Sequence, residues 1–392
     1  MGNEVETTFS LVIGGPFYRL QHRLGLLGPD LLPHARTALL FAALAWLCPA
    51  LLSTWEGNAW NSMLAERSFL LDYSAYARFI LVVATLTMME PAAESRIAAL
   101  IRQFLDSGLF DEQERHRFAA ALQRADRRTS STVGEIGLLV ISFAIAVVAG
   151  YVNIRSQGNA WFGELVGDDV QLTLAGWWAL LVSLPLFWFL VLRWLWRFVA
   201  WTILLRDVSR LRLRLVATHP DRCAGLGFLE LFPFTFTLLA FALSCVSASV
   251  VLQEMQYSGM AAQQAAALFA AWLLTIVGFI VGPLLVFVPR LAHLKEDALL
   301  RYGRLSCMHN RAFEQRWVDG RHQEQDLLGV PDISSLADLA GGFEAVRSMR
   351  FIPAGHEVVI VLSAAVALPW ISVLLTQIPV AELLAAMAKA LL

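Results

Sequence analysis

Long apolar runs, each sufficient to cross a lipid bilayer as a helix, constrain this chain more than any other feature. A transmembrane helix needs about 20 mainly apolar residues to cover about 30 Å of hydrocarbon. Of the 392 residues, 57% are hydrophobic and 16% are charged, whereas about 25% of the residues in a soluble domain are charged. The runs cover residues 37–54, 68–89, 134–153, 172–204, 231–252, 265–289 and 357–377. The pattern predicts an all-α, polytopic transmembrane helix bundle of about seven spans with helical cytoplasmic extensions.

The basic residues divide the connecting segments into two sets, and this division predicts the orientation of the chain. Segments 1–36, 90–133, 205–230 and 290–356 hold 24 of the Lys and Arg residues, whereas the alternate segments hold three. Cytoplasmic loops of membrane proteins carry an excess of Lys and Arg. We therefore expect the N-terminus in the cytoplasm and the C-terminus outside.

These expectations divide the chain into alternating membrane and soluble regions. They are a cytoplasmic N-terminal segment (1–36), the first two transmembrane helices (37–89), cytoplasmic helices (90–133), four transmembrane helices with a basic cytoplasmic loop at 205–230 (134–289), a cytoplasmic helical region (290–356), and the last transmembrane helix with a short amphipathic tail (357–392). Spans two, four and six are expected to continue as helices beneath the membrane.

Local signals predict where the soluble helices begin. Asp111, followed three residues later by Glu114, is typical of a helix N-terminus, and so is Ser335 followed by Asp338. The sixth span keeps a largely apolar face beyond Arg290, so its helix is expected to continue towards Gly320. No run alternates long enough between apolar and polar residues to predict a strand.

Arg78 is a charged residue ten positions inside the second apolar run. A charge at the bilayer centre costs at least about 2.5–3.5 kcal/mol, so such residues usually face protein, water or a carboxylate. One interpretation is that Arg78 is buried and meets an acid from another helix or a bound anion. The alternative is that the span starts later and the side chain reaches outward to the membrane surface.

A second basic group, formed by Arg193, Arg197, Arg206 and Arg210, lies at the inner end of the fourth run, interleaved with tryptophans. Arg and Trp together are typical of the membrane–water interface. We therefore expect these side chains to contact lipid phosphates. The alternative is an anion funnel, since guanidinium groups bind oxyanions through two hydrogen bonds.

Small hydroxyl residues mark one face of the fifth run, where Thr237, Ser244 and Ser247 share helical spacing. Such residues line close helix contacts in membranes, and they also line water-filled pathways. Four runs contain a proline, which can bend the helix and leave backbone carbonyl groups without their helical hydrogen bonds. Transport proteins use such interrupted helices to build their binding sites. These prolines are Pro49, Pro185, Pro283 and Pro369.

In the loop after the fourth run, His219, Asp221 and Cys223 alternate. They could form an acid–base pair or part of a metal site, but a zinc site needs a fourth ligand, and none stands at a recognised spacing. The structural alternative is that Asp221 caps local backbone in a Pro-Gly turn. The four cysteines lie far apart, without a CxxC motif, so neither a disulfide framework nor a zinc site is indicated. We predict no metal site and no cofactor.

Two stretches, HPDRCAGLGFL and PDISSLADLAGGFEAVRSMRFIP, resemble motifs of a group of uncharacterised bacterial inner-membrane proteins. The motifs of that group are HPDxAGGLGFL-like and DIxSLADLxxSFExVRxMR-like and occur in the same order. The resemblance covers most of the chain from about residue 60 and implies a location in the bacterial inner membrane, but no activity. Cys223 stands where the group is expected to carry a small residue.

The sequence favours a membrane channel or transporter for a small ion or solute, with an anion suggested by Arg78. The alternatives are a non-transporting scaffold or sensor that binds a cytoplasmic partner and, least favoured, an enzyme acting on lipid headgroups through His219 and Asp221. The expected partners are membrane lipids and the small ion or solute, with a homo-oligomer left open. The formal net charge of −2 argues against a nucleic-acid partner.

Overall fold

The computed structural model describes residues 10–26, 28, 31–60, 68–157, 161–166, 169–319 and 331–375. Within these residues the protein is an all-α bundle, as predicted, and six helices are long and apolar enough to cross a membrane. The helices are α1 (Gly15–Arg23), α2 (Leu32–Trp55), α3 (Tyr73–Asp106), α4 (Glu112–Thr129), α5 (Thr132–Gln157), α6 (Leu174–Ser209), α7 (Gly227–Tyr257), α8 (Ala262–Val318), α9 (Pro331–Arg347) and α10 (His356–Leu375).

Each of the first six predicted runs corresponds to one of the six membrane-length helices, α2, α3 and α5–α8. The second and fourth runs begin before their helices, at residue 68 ahead of Tyr73 and at residue 172 ahead of Leu174. Three of these helices, α3, α6 and α8, continue well past their apolar stretch, as expected for spans two, four and six. The seventh run, 357–377, lies in α10 as far as Leu375, and its last two positions lie outside the described residues. Trp370 of α10 is buried in a cluster with Val251 and Met255 of α7.

Wide π turns interrupt several of the membrane-length helices. Two of them, Ala43–Leu47 in α2 and Ala179–Ser183 in α6, lie immediately before the turns that contain Pro49 and Pro185. Because proline has no N–H, the regular α-helical hydrogen bond cannot form at these positions. In α8, Pro283 lies in a 3-10 segment, Gly282–Phe287. These prolines therefore accompany local changes of helix winding.

Two local features differ from expectation. A hairpin of two antiparallel strands, β1 (Gly163–Val166) and β2 (Asp169–Leu172), lies between α5 and α6. Its four-residue strands are too short to show a convincing alternation in sequence. Helix α9 begins at Pro331 instead of Ser335, whose hydroxyl donates to the Asp332 carbonyl within the helix. The prediction at Asp111 is confirmed, since its carboxylate accepts from the Glu114 N–H at 2.8 Å.

Candidate functional site: a polar cavity beside a buried charge cluster

A cavity of about 480 Å³ lies between the segment that leads into α1, the start of α2 and the middle of α3. It lies where α3 changes from an apolar to a polar sequence, so it opens at one end of the apolar part of that helix. Its lining combines carboxylates and imidazoles with an aromatic hydroxyl and apolar groups, and the apolar atoms make up most of its surface. The lining residues are Val12, Ile13, Tyr18, His22, Gly28, His34, Glu90, Pro91, Glu94 and Ser95.

Glu90 connects this cavity to a pair of buried arginines on α6. Its side chain is 2% exposed, and its Oε1 accepts from Arg193 Nη1 at 2.8 Å and from Arg197 Nη1 at 3.0 Å. Its second oxygen, Oε2, is buried and has no hydrogen-bond partner among the described residues. A buried carboxylate oxygen without a partner is costly, so this atom is a polar group that the described residues leave unsatisfied beside the cavity.

Glu135 of α5 completes the charge cluster, which we define as Glu90, Glu135, Arg193 and Arg197. Its Oε1 lies 3.5 Å from Arg193 Nε, and its Oε2 accepts from the backbone N–H of Phe17 at 2.8 Å. The Arg193 guanidinium also lies 4.9 Å from the centre of the Phe17 ring. The cluster therefore joins three helices and has no net formal charge.

The N-terminal segment, residues 10–23, is held on this cluster through its backbone. Arg197 Nη2 donates to the Val12 carbonyl at 3.2 Å. The Val12 N–H donates to Glu94 Oε2 at 3.1 Å. The segment thus forms one wall of the cavity, and its position depends on charged side chains that come from α3, α5 and α6.

His34, near the start of α2, is another buried polar group of the cavity. Its side chain is 8% exposed, and its Nδ1 has no hydrogen-bond partner among the described residues. Two aromatic side chains of α1, Tyr18 and His22, also line the cavity. The centroids of their rings lie 6.3 Å apart. With Glu94 half-buried at the wall, the cavity is lined by acidic and aromatic groups.

The structure changes the interpretation of the basic group on α6. Arg193 and Arg197 are 4% and 3% exposed, so they pair with carboxylates inside the protein and do not face lipid phosphates. The reason is that α3 and α5 supply Glu90 and Glu135 at the same level of the bundle. Arg206 and Arg210 are exposed, so for them a contact with lipid phosphates stays a prediction.

Arg78 is half-buried and finds its partner on its own helix. Its Nε donates to the Ser74 carbonyl at 3.1 Å, and its Nη2 donates to Ser74 Oγ. Ser74 Oγ in turn donates to Asp72 Oδ1 at 2.6 Å, and Trp161 Nε1 donates to Asp72 Oδ2 at 3.2 Å. The serine thus bridges the arginine to an acid that does not share its helical face, which neither sequence interpretation included. Arg78 does not line the cavity.

The hydroxyl groups on α7 bond to protein atoms nearby. Thr237 Oγ1 donates to the Pro233 carbonyl at 3.3 Å, and Ser247 Oγ donates to the Ser244 carbonyl at 3.1 Å. Ser244, which is fully buried, accepts from Trp272 Nε1 of α8 at 2.9 Å. The bonds of Thr237 and Ser247 lie within α7, and the bond of Ser244 joins α7 to α8. None of the three residues lines the cavity.

Asp221 organises the loop between α6 and α7 through backbone hydrogen bonds. Its carboxylate accepts from the N–H groups of Cys223 at 2.8 Å and Gly227 at 2.7 Å, and from that of Gly225 at 3.1 Å. Partial burial alone would raise the pKa of Asp221, but these hydrogen bonds, with one from His219, lower it below the ordinary value. A Cβ at Gly227 would lie 2.8 Å from the Cβ of Asp221, so the close turn requires glycine.

The two stretches that carry the family resemblance contact one another. The Arg350 N–H donates to the Arg222 carbonyl at 2.6 Å, and its guanidinium lies 2.9 Å from Glu230 Oε1. Cys223 is fully buried, and burial raises the pKa of its thiol to about 11. A thiol in this state is a poor nucleophile and a poor metal ligand. These contacts indicate a structural role for the loop, which connects α6 to α7 and packs against the segment at Arg350.

The cavity and the charge cluster were only partly visible in the sequence. Arg193 and Arg197 stood out, but Glu90, Glu94, Glu135 and His34 were not singled out. One signal could have found Glu90: two arginines inside an apolar run require carboxylate partners, and Glu90 ends another such run. Within the described residues, no group of three or more His, Cys, Asp or Glu is placed to hold a metal ion.

No known protein-family model, curated protein or solved structure matches the chain.

Proposed function

We propose that the protein is a membrane channel or transporter for a small ion or solute, and that the cavity at Glu90 and Glu94 is its binding site. The observation that carries the proposal is the unpartnered, buried Oε2 of Glu90 at a polar cavity. Buried ionisable groups in membrane helices are expensive and mark substrate and ion pathways. The hydrogen bonds from Arg193 and Arg197 hold this carboxylate in place.

The charges at the cavity favour a cation over the anion that the sequence suggested. The anion interpretation depended on Arg78, and its guanidinium is occupied by Ser74 and lies away from the cavity. Among the described residues, the acidic side chains that line the cavity are Glu90 and Glu94, and no Lys or Arg lines it. Since opposite charges attract strongly in a partly buried site, a positively charged solute is the better match.

The proposal includes a location in the bacterial inner membrane with the N-terminus in the cytoplasm. In that orientation the cavity opens towards the cytoplasm, because it lies in the middle of α3, at the end of its apolar part, where residues 90–133 begin. Arg206 and Arg210 would then contact lipid phosphates at the inner leaflet.

A flux assay with a cavity-blocking variant tests the proposal. The purified protein is reconstituted into liposomes and assayed for flux of protons, K⁺, Na⁺, Cl⁻ and a panel of small organic cations. Ser95 lies exposed at the cavity wall, so Ser95→Phe places a bulky ring there without disturbing a buried contact. Flux of at least one panel member is expected, and Ser95→Phe is expected to reduce it at least tenfold.

Ser107→Phe is the matched control, because Ser107 is an exposed serine at the end of the same helix and does not line the cavity. It should leave flux unchanged. Flux no greater than that of empty liposomes for the whole panel would refute a transport function. Flux that Ser95→Phe leaves intact would move the pathway away from the cavity.

A scaffold that binds a partner is the second candidate, favoured by exposed apolar side chains on the polar extension of α8. Leu300 is 77% exposed, Leu305 51% and Met308 64%. Exposed apolar groups beyond a membrane span are typical of protein contacts. A triple substitution to serine tests this: a change from an oligomer to a monomer in detergent, with flux absent in all forms, would favour the scaffold.

A further inference from the structure

We infer that the cavity takes a primary organic amine in its protonated form, carried on an apolar body. The inference deepens the proposed function and rests on it for the role of the cavity as a solute site. It depends on four features of the cavity: its charge balance, its hydrogen-bonding groups, its aromatic wall and its size.

The charge balance leaves room for one positive charge. Arg193 and Arg197 offset Glu90 and Glu135 within the charge cluster. Glu94, half-buried on α3, adds a further carboxylate, which accepts a single hydrogen bond from the described residues, donated by the Val12 N–H. The group as a whole therefore carries one unit of negative charge when its members are ionised, and a monovalent cation would neutralise it.

The hydrogen-bonding groups match the three N–H bonds of a primary ammonium. Glu90 Oε2 is an acceptor that is buried and unpartnered. His34 Nδ1 is also buried and unpartnered, and it is an acceptor when the ring proton is on Nε2. The carboxylate of Glu94 supplies the third acceptor. A quaternary ammonium has no N–H to donate and would leave Glu90 and His34 unsatisfied.

The wall formed by α1 offers aromatic faces to the same cation. Tyr18 and His22 line the cavity with their rings 6.3 Å apart. Aromatic faces attract ammonium groups, with about 0.5–1 kcal/mol at exposed sites and more when the pair is desolvated. Val12, Ile13 and Pro91 supply apolar lining for the body that carries the amine.

The size of the cavity separates an organic cation from a metal ion. A volume of about 480 Å³ lies in the range of small-molecule sites, which are about 300–1,000 Å³. A bare divalent cation needs several ligand atoms within about 2–2.6 Å. The described residues offer no such group of His, Cys, Asp or Glu side chains.

Three compounds with one phenyl body and different charges provide the test. The purified full-length protein in detergent is titrated with 2-phenylethylamine, 2-phenylethanol and 3-phenylpropanoate at pH 7, and its thermal unfolding is followed. A ligand that binds only the folded state raises the unfolding temperature with concentration. The amine is expected to do so, and the alcohol and the acid are not. The N,N,N-trimethyl derivative is expected to bind at least tenfold more weakly than the amine.

Glu94→Gln is the diagnostic variant, because it removes the charge while an amide oxygen remains for the Val12 N–H. It should weaken amine binding by about tenfold to a hundredfold, as expected for the loss of a hydrogen bond to a charged group. Glu112→Gln is the matched control, because Glu112 is exposed in the first turn of α4, away from the cavity. It should leave amine binding unchanged.

Stabilisation by the alcohol or the acid equal to that by the amine would overturn the inference, as would unchanged amine binding in Glu94→Gln. These outcomes are distinct from failure of the proposed function. Flux sensitive to Ser95→Phe without amine binding would reject the amine alone. Amine binding that depends on Glu94, without any flux, would keep the binding site and reject transport.

Discussion

The carboxylate of Glu135 accepts a hydrogen bond from the backbone N–H of Phe17 across 118 positions of sequence, at 2.8 Å. Phe17 lies in the first turn of α1, where backbone N–H groups have no partner within the helix. Glu135 therefore satisfies one of these N–H groups from a neighbouring helix, and it also lies 3.5 Å from Arg193. The position of the cavity wall and the ion pairs of the charge cluster are coupled through this carboxylate.

The first prediction concerns Gly15, which has a φ of +80° and lies against this carboxylate. A Cβ at Gly15 would lie 2.5 Å from Glu135 Oε1. Gly15→Ala therefore imposes a left-handed conformation on alanine, at about 1–2 kcal/mol, and also displaces Glu135 from Phe17. We expect the free energy of unfolding to fall by about 3 kcal/mol, measured by denaturation in mixed detergent micelles.

Gly25→Ala separates the two causes. Gly25 has a φ of +69° but no atom within 4 Å of an added Cβ, so this variant bears the backbone strain alone. The loss should be about 1–2 kcal/mol. Equal losses in the two variants would show that the contact with Glu135 contributes nothing.

The second prediction concerns the ion pairs of Glu90. Removing one partner of a buried ion pair leaves the other uncompensated, at about 3–5 kcal/mol, whereas removing both is often nearly neutral. Glu90→Gln should therefore destabilise the protein by about 3–5 kcal/mol, and Arg197→Met added to it should recover a large part. A double-mutant cycle on unfolding free energies measures the coupling. Additive losses in the double variant would contradict a direct interaction.

Much of the fold could be predicted because a membrane restricts the chain to few solutions. Backbone groups in lipid must be satisfied internally, so a long apolar run has to form a helix. The capping role of Asp111 could also be predicted, because its hydrogen-bond partner is the N–H of Glu114, only three positions away. The contact between Ser74 and Arg78 could have been predicted as well, because Ser74 precedes Arg78 by four positions and shares its helical face.

The candidate site was less accessible because its contacts join distant parts of the chain. Arg197 and Glu90 are 107 positions apart, and Arg197 and Val12 are 185 apart. No local pattern marks such pairs; what the sequence shows is that Arg193 and Arg197 need partners. The tryptophans around these arginines favoured a contact with lipid phosphates at the membrane interface. In the structure the arginines instead pair with Glu90 of α3 and Glu135 of α5.

The third prediction concerns pH and Asp221. Its pKa in the folded protein is lower than the ordinary value of 3.8. The ionised form therefore stabilises the fold above about pH 4, and this contribution is lost as the pH falls from 3.8 through the lower, folded-state pKa. Asp221→Asn should lower the unfolding temperature at pH 7, and the difference from wild type should shrink below pH 4. Melting curves from pH 3 to 7 measure it.

Asp338→Asn is the control for this titration, because it makes the same substitution at an exposed position of α9. Its melting temperature should follow that of the wild type at every pH. A difference for Asp221→Asn that stays constant down to pH 3 would show that the charge of Asp221 is not what stabilises the loop.

The fourth prediction concerns thiol reactivity. Cys223 is buried with a raised thiol pKa of about 11, whereas Cys307 is exposed on α8. Since the thiolate is the reactive form, N-ethylmaleimide should modify Cys307 in the folded protein and spare Cys223 until denaturation, as read by mass spectrometry. Cys223→Ala should leave flux unchanged. Rapid modification of Cys223 in the folded state, or loss of flux in Cys223→Ala, would favour a chemical role for the loop.

The fifth prediction concerns the orientation in the membrane. The distribution of Lys and Arg predicts that residues 90–133 lie in the cytoplasm and that the segment at Asn58 lies outside. In a variant without native cysteines, Ser107→Cys should resist an impermeant maleimide in intact cells and react after permeabilisation, while Asn58→Cys should react at once. In the fold Ser107 is exposed, and Asn58 is half-buried beside the exposed Gly57. Labelling of Ser107→Cys in intact cells would reverse the orientation and place the cavity at the outer face, where a solute would enter it from outside the cell.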